Sequence, residues 1–360
     1  MFSAIDLRSV ITSLLVFFFS YSNAQTLGGS SVFNFVKLPN TPQLTALGGV
    51  NVSGITQDVG LSFNNPSLLR PQMHSQFSAV FNSMYGGIKN YHAMMGYYQE
   101  KTATSFAAGV LYFDYGTLSQ TDASGNVEGS FHPVDYVAQL SASRKYATNW
   151  NYGATFKFLH SSYGIYRSSG VALDVGAAYF DSTQLFQVSL VAKNMGVQTR
   201  KYGSSTGDEL PFDLQIGVSK RLWNAPIQFS LTAHHLHRFN LLYRDTVFNN
   251  QNGLNQENTS SSRFVEKAFQ HLVFATQVYV GDKLEITGAY NHLRRTELNI
   301  VNAANGLNGF SLGVGVLFAK IQLRYARAYY QSTRAYNQLG LNLPLDQYFG
   351  LGDTGNRTGW

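Results

Sequence analysis

The feature that most constrains this chain is an alternation of residue types with a period of two, repeated along most of its length. From Phe310 to Phe318, for example, Phe, Leu and Val alternate with Ser and Gly. A period of two is typical of a β-strand with one face buried. Fourteen segments show this pattern and are predicted strands: 75–85, 90–99, 104–113, 133–145, 150–161, 169–180, 185–195, 211–222, 226–237, 269–280, 283–293, 309–319, 320–330 and 334–343.

The length of these strands indicates where the sheet lies. Most have about 11 residues, which suits a tilted strand that crosses a bilayer (about 9–11 residues), whereas strands of soluble proteins average about 5–6. In hydrocarbon, only a closed sheet leaves no backbone edge unpaired. The sequence therefore predicts an all-β fold, a 14-stranded antiparallel transmembrane β-barrel over residues 75–343. A secreted β-sandwich is the structural alternative.

The connections between the predicted strands support the barrel. Those after the even-numbered strands are short, and several of the others are long, namely 114–132, 196–210, 238–268 and 294–308. Short periplasmic turns alternating with long extracellular loops are typical of outer-membrane barrels. We therefore expect both chain ends on the periplasmic side and the long loops outside. Aromatic residues near strand ends, such as Tyr146, Trp150 and Trp223, suit the interfacial girdles of such a barrel.

Composition and the first residues narrow the class of protein. The 360 residues include 44% hydrophobic and 13% charged residues, no Cys, and a net charge of +6 without a dense Lys/Arg run. These values exclude disulfide frameworks and Cys-ligated metals, and give no sign of nucleic-acid binding. Residues 1–24 resemble a signal peptide, with Arg8, an apolar run from Val10 to Phe19, and Ala24 before the expected cleavage point. We expect an exported, integral protein of the bacterial outer membrane.

Two segments lie outside the predicted barrel. Residues 25–74 are rich in Gly, Asn, Ser and Pro and lack sustained alternation, and we expect them to form a plug, or hatch, inside a lumen too wide for side chains alone to fill. Phe33, Phe35, Val36 and Leu38 would line a ligand pocket or form the packed core of the plug. Residues 344–360 are an expected C-terminal periplasmic tail.

The sequence identifies no catalytic, cofactor-binding or metal-binding residue, so we expect a protein that is not an enzyme. The segment 203–207 has the G-x-S-x-G spacing of a nucleophile elbow but lies in a Gly/Ser-rich loop. His234, His235 and His237 suggest a metal site, but on a strand His234 would face away from the other two. No carboxylate is spaced to complete that set, so polar rim residues are the preferred interpretation.

Two further polar groups have ordinary interpretations. Asp122–Asn126 has oxygen ligands and a glycine, yet it lacks the distant Glu of a calcium loop, so we expect a tight turn. Arg294-Arg295 and Arg200-Lys201 fall in predicted extracellular loops. They would be either solvated charges or contacts to anionic lipopolysaccharide.

Three blocks of sequence, in this order, resemble the PorQ family of outer-membrane proteins of the type IX secretion system of Bacteroidetes. The resemblance extends over most of the mature chain, although Thr41-Pro42-Gln43 stands where a Ser-Ala-Arg-like run is expected. The blocks are Gly28-Gly29, Phe35–Pro39, Ala46–Gly49, Val52-Ser53 and Asn64–Leu69; then Tyr115-Gly116, Asp122, Gly125-Asn126, Gly129 and Phe131; then Lys220–Pro226 and His234–Leu236.

The resemblance implies a fatty-acid-porin-like barrel without cofactors that belongs to a cell-surface attachment complex. In such a complex it would anchor a PorZ-like surface protein near a PorU-like sortase and a PorV-like barrel, which together join cargo to anionic lipopolysaccharide. We expect loops 238–268 and 294–308 to dock these partners. The alternative is a transporter of hydrophobic small molecules. An apolar pocket between plug and wall with an exit to lipid would distinguish it from a scaffold.

Overall fold

The computed structural model describes residues 31–203, 207–241, 260–298, 306–318, 321–330 and 334–346. The predicted signal peptide, residues 25–30 and most of the predicted tail lie outside the described residues. No helix among the described residues has the length and apolar character needed to cross a membrane.

Strands account for most of the described chain. Sixteen are found in the described residues: β1 (Gln76–Ser83), β2 (Lys89–Gln99), β3 (Thr104–Asp114), β4 (Leu118–Thr121), β5 (Val127–Phe131), β6 (Val134–Tyr146), β7 (Trp150–Tyr163), β8 (Tyr166–Asp181), β9 (Phe186–Arg200), β10 (Asp213–Arg221), β11 (Ile227–Ala233), β12 (Leu272–Val280), β13 (Leu284–Asn291), β14 (Phe310–Phe318), β15 (Ile321–Tyr329) and β16 (Ala335–Pro344). The α-helices are α1 (Pro42–Ala46), α2 (Ser260–Gln270) and α3 (His292–Leu298).

Fourteen of these strands form one closed antiparallel barrel, which confirms the predicted fold class. Each barrel strand pairs with its neighbours along the chain, and β1 pairs with β16 to close the sheet, with Gln76 opposite Pro344. Only β4 and β5 stand apart, as a two-stranded hairpin. Closure gives every barrel strand a partner on both sides, which is what hydrocarbon requires of a backbone.

The differences from the predicted strands lie in the long connections. The predicted loop 114–132 contains the β4–β5 hairpin, and the predicted start of a strand at residue 269 falls in α2. The predicted strand 226–237 ends at Ala233, because His235 has a φ of 55° and cannot continue a strand. The predicted strand 283–293 ends at Asn291, where α3 follows directly.

The two ends of the barrel differ as predicted. At one end, which we call the turn end, the connections have two to five residues. The other, the loop end, carries the long connections 115–133, 201–212, 234–271 and 292–309. The strand ends at Gln76 and Pro344 lie at the turn end.

The wall has an apolar outer face and a polar inner face. Leu140 (64% exposed), Phe156 (52%) and Leu312 (62%) point outward, while their strand neighbours Gln139, Thr155 and Ser311 are buried inside. A soluble sheet places apolar residues inside, so this arrangement is that of an outer-membrane-type barrel. Exposed Tyr97, Tyr146, Trp150 and Trp223 lie near the turn-end limits of the strands, where an interfacial girdle is expected.

Residues 31–75, the N-terminal segment, contact inner faces on opposite sides of the barrel. The segment begins at the loop end, where Val32 N–H donates to the Glu209 carbonyl oxygen (3.0 Å), and ends at the turn end, where Ser75 N–H donates to the Gly96 carbonyl oxygen (2.8 Å). Between these points α1 contacts β13 to β16, and the 3-10 turn Pro66–Leu68 contacts β6 to β8. Ser31 therefore lies at the opposite end of the barrel from Gln76. The chain ends themselves, which we expected at the turn end, lie outside the described residues.

Packing of this segment changes along its length. Near the loop end, Phe33, Phe35 and Val36 are buried in one apolar cluster with wall residues such as Phe113 and Val137. Further on, the apolar cluster continues with Phe63 and Met73, and polar contacts join it: Thr45 Oγ1 donates to Gln338 Oε1 (2.6 Å), and the hydroxyls of Ser53 and Ser219 lie 2.8 Å apart. The barrel approaches the segment closely at Gly96 and Gly153. A Cβ there would lie 2.3 Å from the Met73 carbonyl oxygen and 2.7 Å from the Pro66 carbonyl carbon.

A buried charge cluster joins the segment to the wall. Arg324 of β15 contacts Asp58 of the segment (3.1 Å) and Glu285 of β13 (3.3 Å), and all three side chains are at most 5% exposed. Buried charges are tolerated when they are paired, and removing one partner leaves the others uncompensated. Arg324 is therefore the shared counter-ion of two carboxylates. Without it, both would be buried charges that lack a cation.

We expect Arg324→Met to destabilise the barrel far more than Asp58→Asn. The first change leaves two buried carboxylates without their cation, at a cost of about 3–5 kcal/mol, whereas the second keeps the pair between Arg324 and Glu285. The readout is the temperature at which the folded electrophoretic band converts to the unfolded one. Equal conversion temperatures for the two variants would contradict the role of Arg324 as the shared counter-ion.

Candidate functional site

Two cavities lie at the loop end, between the N-terminal segment and the wall. One, the aromatic cleft, has a volume of about 740 Å³ and lies against β6, β7 and the start of β8. The other, the mouth pocket, has a volume of about 490 Å³ and lies against β9, β10, β11 and β13. Both volumes fall in the range of about 300–1,000 Å³ that is typical of small-molecule sites.

Five rings that line the aromatic cleft form, together with Phe113, one series of aromatic contacts. Along the series, neighbouring ring centroids lie 5.6–6.4 Å apart, within the spacing of favourable aromatic pairs. The series is Phe33, Phe35, Phe113, Tyr115, Tyr163 and Tyr202. Leu38 adds apolar surface, and exposed Asn34, Tyr166 and Asp208 form the rim. The cleft therefore offers an aromatic surface that opens toward the loop end.

A buried carboxylate lies on one side of this cleft. Asp135, 1% exposed, accepts hydrogen bonds at Oδ2 from the Tyr115 hydroxyl (2.5 Å) and the Tyr163 hydroxyl (2.8 Å). Burial and the neighbouring Asp135 carboxylate raise the pKa of Tyr115, and burial also raises the pKa of Tyr202. Tyr115 therefore stays protonated and, like Tyr163, donates its hydroxyl proton to Asp135. This arrangement fixes the orientation of the rings.

The mouth pocket differs from the cleft in carrying many ionisable groups. Burial, and then the nearby Arg238, lower the pKa of Lys37, while burial raises the pKa of Glu297. Both charged forms are thus disfavoured in a site partly shielded from water. The ionisable residues that line the pocket are Lys37, Lys193, Glu209, Asp213, His234, His235, His237, Arg238, Arg294, Glu297 and Tyr330.

The three histidines of the sequence lie in this pocket, and the structure corrects how they are arranged. Because the backbone turns at His235, the rings of His234 and His235 lie together, with centroids 4.6 Å apart, rather than on opposite faces of a strand. A carboxylate also joins them: His235 Nδ1 lies 3.3 Å from Asp213 Oδ1. Asp213 opens the neighbouring strand, so spacing along the chain did not reveal it. Burial lowers the pKa of His234 to about 3 and that of His237 to about 4, so both rings are neutral at pH 7.

Arg294 is buried, although the sequence analysis placed it among solvated or lipopolysaccharide-binding loop charges. It is 6% exposed, its Nη2 donates to Ser311 Oγ (2.6 Å), and its guanidinium lies 4.7 Å from the centre of the Tyr330 ring. The residue caps the inner side of the loop between β13 and β14. It is therefore a structural member of the mouth pocket. Lys201, in contrast, is exposed.

No protein-family model and no curated protein sequence matches this chain. Among solved structures, CymD, described as a monoaromatic hydrocarbon channel, is similar over 86% of this chain and 97% of its own, with 11% identity and a TM-score of 0.48. A deltaS2 mutant of TodX, described in the same words, gives 11% identity, coverages of 86% and 98%, and a TM-score of 0.46. The KdgM porin gives 5% identity, coverages of 74% and 97%, and a TM-score of 0.30.

The other sequence motifs resolve simply. Asp122–Asn126 is the turn of the β4–β5 hairpin, in which Asp122 Oδ1 accepts from the backbone N–H groups of Ser124 (2.9 Å) and Asn126 (2.8 Å). Residues 204–206 of the G-x-S-x-G match lie outside the described residues. The sequence left open whether Phe33 and Phe35 line a pocket or pack in a plug core. The structure places them in both positions, since they belong to the apolar cluster and also line the cleft.

Sequence reasoning missed the two carboxylates that organise the cavities. Both Asp135 and Asp213 lie within predicted strands, 133–145 and 211–222, where the alternation alone does not single them out. A usable signal was present, because the chain has only 20 acidic residues and an inward-facing carboxylate of a barrel strand needs a dedicated partner. Which partner it finds depends on strand register, and the sequence did not supply that.

Proposed function

We propose that this chain is a non-enzymatic outer-membrane barrel that takes up small apolar molecules, with residues 31–74 as its plug. The observation that carries the proposal is the aromatic cleft, whose walls are Phe33, Phe35 and Leu38 on the plug side and tyrosines on the wall side. An apolar pocket between plug and wall with an exit to lipid is the feature that distinguishes a transporter from a scaffold. The cleft provides the pocket, and in this proposal movement of the plug provides the exit.

The contacts between plug and wall are compatible with such movement. Beyond the apolar cluster they are largely hydrogen bonds, such as those of Thr45 with Gln338 and Ser53 with Ser219. Water can replace hydrogen bonds of this kind, so each contributes only about 0.5–1.5 kcal/mol net. The plug is thus held by separate hydrogen bonds, by the buried pair of Asp58 with Arg324, and by an apolar cluster that also includes Phe63 and Met73. A bound molecule that displaces Phe33 and Phe35 would act where the apolar contacts are concentrated.

We expect Leu38→Asp to impair uptake of an apolar molecule. The probe is N-phenyl-1-naphthylamine, an aromatic dye that fluoresces when it leaves water, added to intact Gram-negative cells that produce the chain. A carboxylate on the cleft wall should weaken binding of the dye at least about tenfold, since an unpaired polar group facing an apolar one costs about 1–3 kcal/mol. The rate of fluorescence increase should fall accordingly.

The matched control for this experiment is Ile165→Asp. Ile165 is 86% exposed in the β7–β8 hairpin and is not among the cleft-lining residues. This variant should take up the dye at the unmodified rate. If cells with and without the barrel accumulate the dye equally fast, the uptake function is wrong.

A disulfide between plug and wall tests whether the plug must move. The hydroxyls of Ser53 and Ser219 lie 2.8 Å apart, and the chain has no cysteine of its own. We expect the double variant Ser53→Cys/Ser219→Cys to bind the dye in both redox states. It should transport the dye only when reduced. Transport by the oxidised protein at the reduced rate would show that the plug does not need to leave the wall.

A second candidate function, the PorQ-like scaffold, is favoured by a different observation. Helix α2 lies in the long connection between β11 and β12 and contacts α3, and three of its large apolar residues are exposed: Phe264 (61%), Val265 (54%) and Phe269 (44%). Exposed apolar clusters on an outer loop suit protein docking. In this proposal α2 holds a PorZ-like surface protein near a PorU-like sortase and a PorV-like barrel. Exposed Lys201 would face anionic lipopolysaccharide.

For the scaffold we expect Val265→Asp to abolish capture of the partner. The tagged chain is isolated from its own outer membrane in mild detergent, and the co-purified proteins are identified by mass spectrometry. A PorZ-like protein in roughly stoichiometric amount should be lost in this variant and kept in Val127→Asp, which changes an equally exposed valine (69%) of the β4–β5 hairpin. Recovery of the unmodified chain without such proteins would exclude the scaffold.

A further inference from the structure

The mouth pocket contains a group of three metal-ligating side chains that the uptake function does not use. Asp213, His234 and His235 each offer one ligand atom, and these atoms all lie within 4.8 Å of one another. Asp213 begins β10, and the two histidines directly follow the end of β11. The group therefore joins two neighbouring strands at the loop end.

His234 gives the observation that points to a ligand. It is 3% exposed, and neither of its ring nitrogens has a hydrogen-bond partner among the described residues. A buried polar atom without a partner costs about 1–3 kcal/mol, so such atoms usually have a bound water, an ion or a protein group nearby. The two nitrogens expose less than 1 Å² each. A cation bound at about 2.0–2.1 Å from nitrogen fits closer to such atoms than a water molecule does.

The distance between two of the three ligand atoms suits a tetrahedral ion. With ligand distances of about 2.0–2.1 Å, two ligands of tetrahedral zinc lie about 3.4 Å apart, and His235 Nδ1 lies 3.3 Å from Asp213 Oδ1. Two imidazoles and one carboxylate form a donor set that prefers zinc and similar divalent transition metals to Ca²⁺ or Mg²⁺, which take oxygen ligands. Three protein ligands leave one position open toward the mouth pocket.

The surroundings hold the proposed ligands in place. The backbone N–H of His235 donates to Asp213 Oδ1 (2.7 Å), and Gln215 Nε2 donates to Asp213 Oδ2 (2.5 Å). The backbone of His234 is fixed to the residue before β12, because its N–H donates to the His271 carbonyl oxygen (3.0 Å). Ligands oriented by such secondary contacts bind metals more tightly.

We propose that Asp213, His234 and His235 bind one Zn²⁺ ion, with its open coordination position facing the mouth pocket. The ion would join the start of β10 to the residues after β11, where the strand geometry ends at His235. It would also place a Lewis-acidic position beside the pocket, able to accept a water molecule or an anionic group of a ligand. The site is separate from the aromatic cleft, so neither proposal depends on the other.

The test uses the full-length chain, purified in detergent with a tag free of histidine and treated with EDTA. Zn²⁺ binding is measured by isothermal titration calorimetry, and the metal content by mass spectrometry of the ion after gel filtration. We expect one Zn²⁺ per chain and no comparable binding of Ca²⁺. Both Asp213→Asn and His234→Gln should weaken Zn²⁺ binding by more than about tenfold, since even loss of an outer contact to a ligand costs about 10–100-fold.

The chain offers a matched control in His132→Ala. His132 Nε2 lies 3.0 Å from Asp114 Oδ1, so it forms a histidine–carboxylate pair without a third ligand among the described residues. This variant should bind Zn²⁺ as the unmodified chain does, and every variant should keep its heat-modifiable band. Absence of stoichiometric Zn²⁺, or unchanged affinity in Asp213→Asn and His234→Gln, would overturn the proposal.

Discussion

The inner face of this barrel is lined with polar side chains that must find partners away from bulk water. Strand periodicity imposes this condition, because an outer face that meets hydrocarbon places every second residue in the lumen. Residues such as Gln338, Ser219 and Arg324 are buried there, and the N-terminal segment supplies their partners in Thr45, Ser53 and Asp58. The lumen is thus filled both by polar matching and by an apolar cluster, which extends from Phe33 and Phe35 to Met73. The aromatic cleft lies beside this cluster at the loop end.

Prediction from the sequence succeeded where one physical rule acts at every residue. The period of two, the strand length and the alternation of connection lengths all follow from a sheet that crosses a bilayer, so fourteen strands were found within a few residues of their limits. Prediction failed in the segments where the period of two does not apply. The β4–β5 hairpin and helices α2 and α3 lie in long connections, where local hydrogen bonds and loop packing decide the structure.

The candidate site shows the same contrast between what strand periodicity predicts and what it does not. The sequence singled out His234 and His235, but their arrangement with Asp213 depends on two features that the strand pattern does not predict. One is the left-handed backbone of His235, which ends β11 and turns consecutive rings toward each other. The other is the pairing of β10 with β11, which brings Asp213 within 3.3 Å although it lies 22 residues away along the chain. Likewise, Asp135 meets Tyr115 and Tyr163 only through the order of strands.

Both cavities open at the same end of the barrel because that is where regular pairing stops. At the turn end, connections of two to five residues leave little room for functional side chains. At the loop end, the N-terminal segment begins against Glu209 and then turns inward, so it separates the aromatic cleft from the mouth pocket. An apolar molecule in the cleft and a cation in the mouth pocket would therefore contact opposite sides of one segment. Movement of that segment is the physical link by which occupancy of either cavity could affect the other.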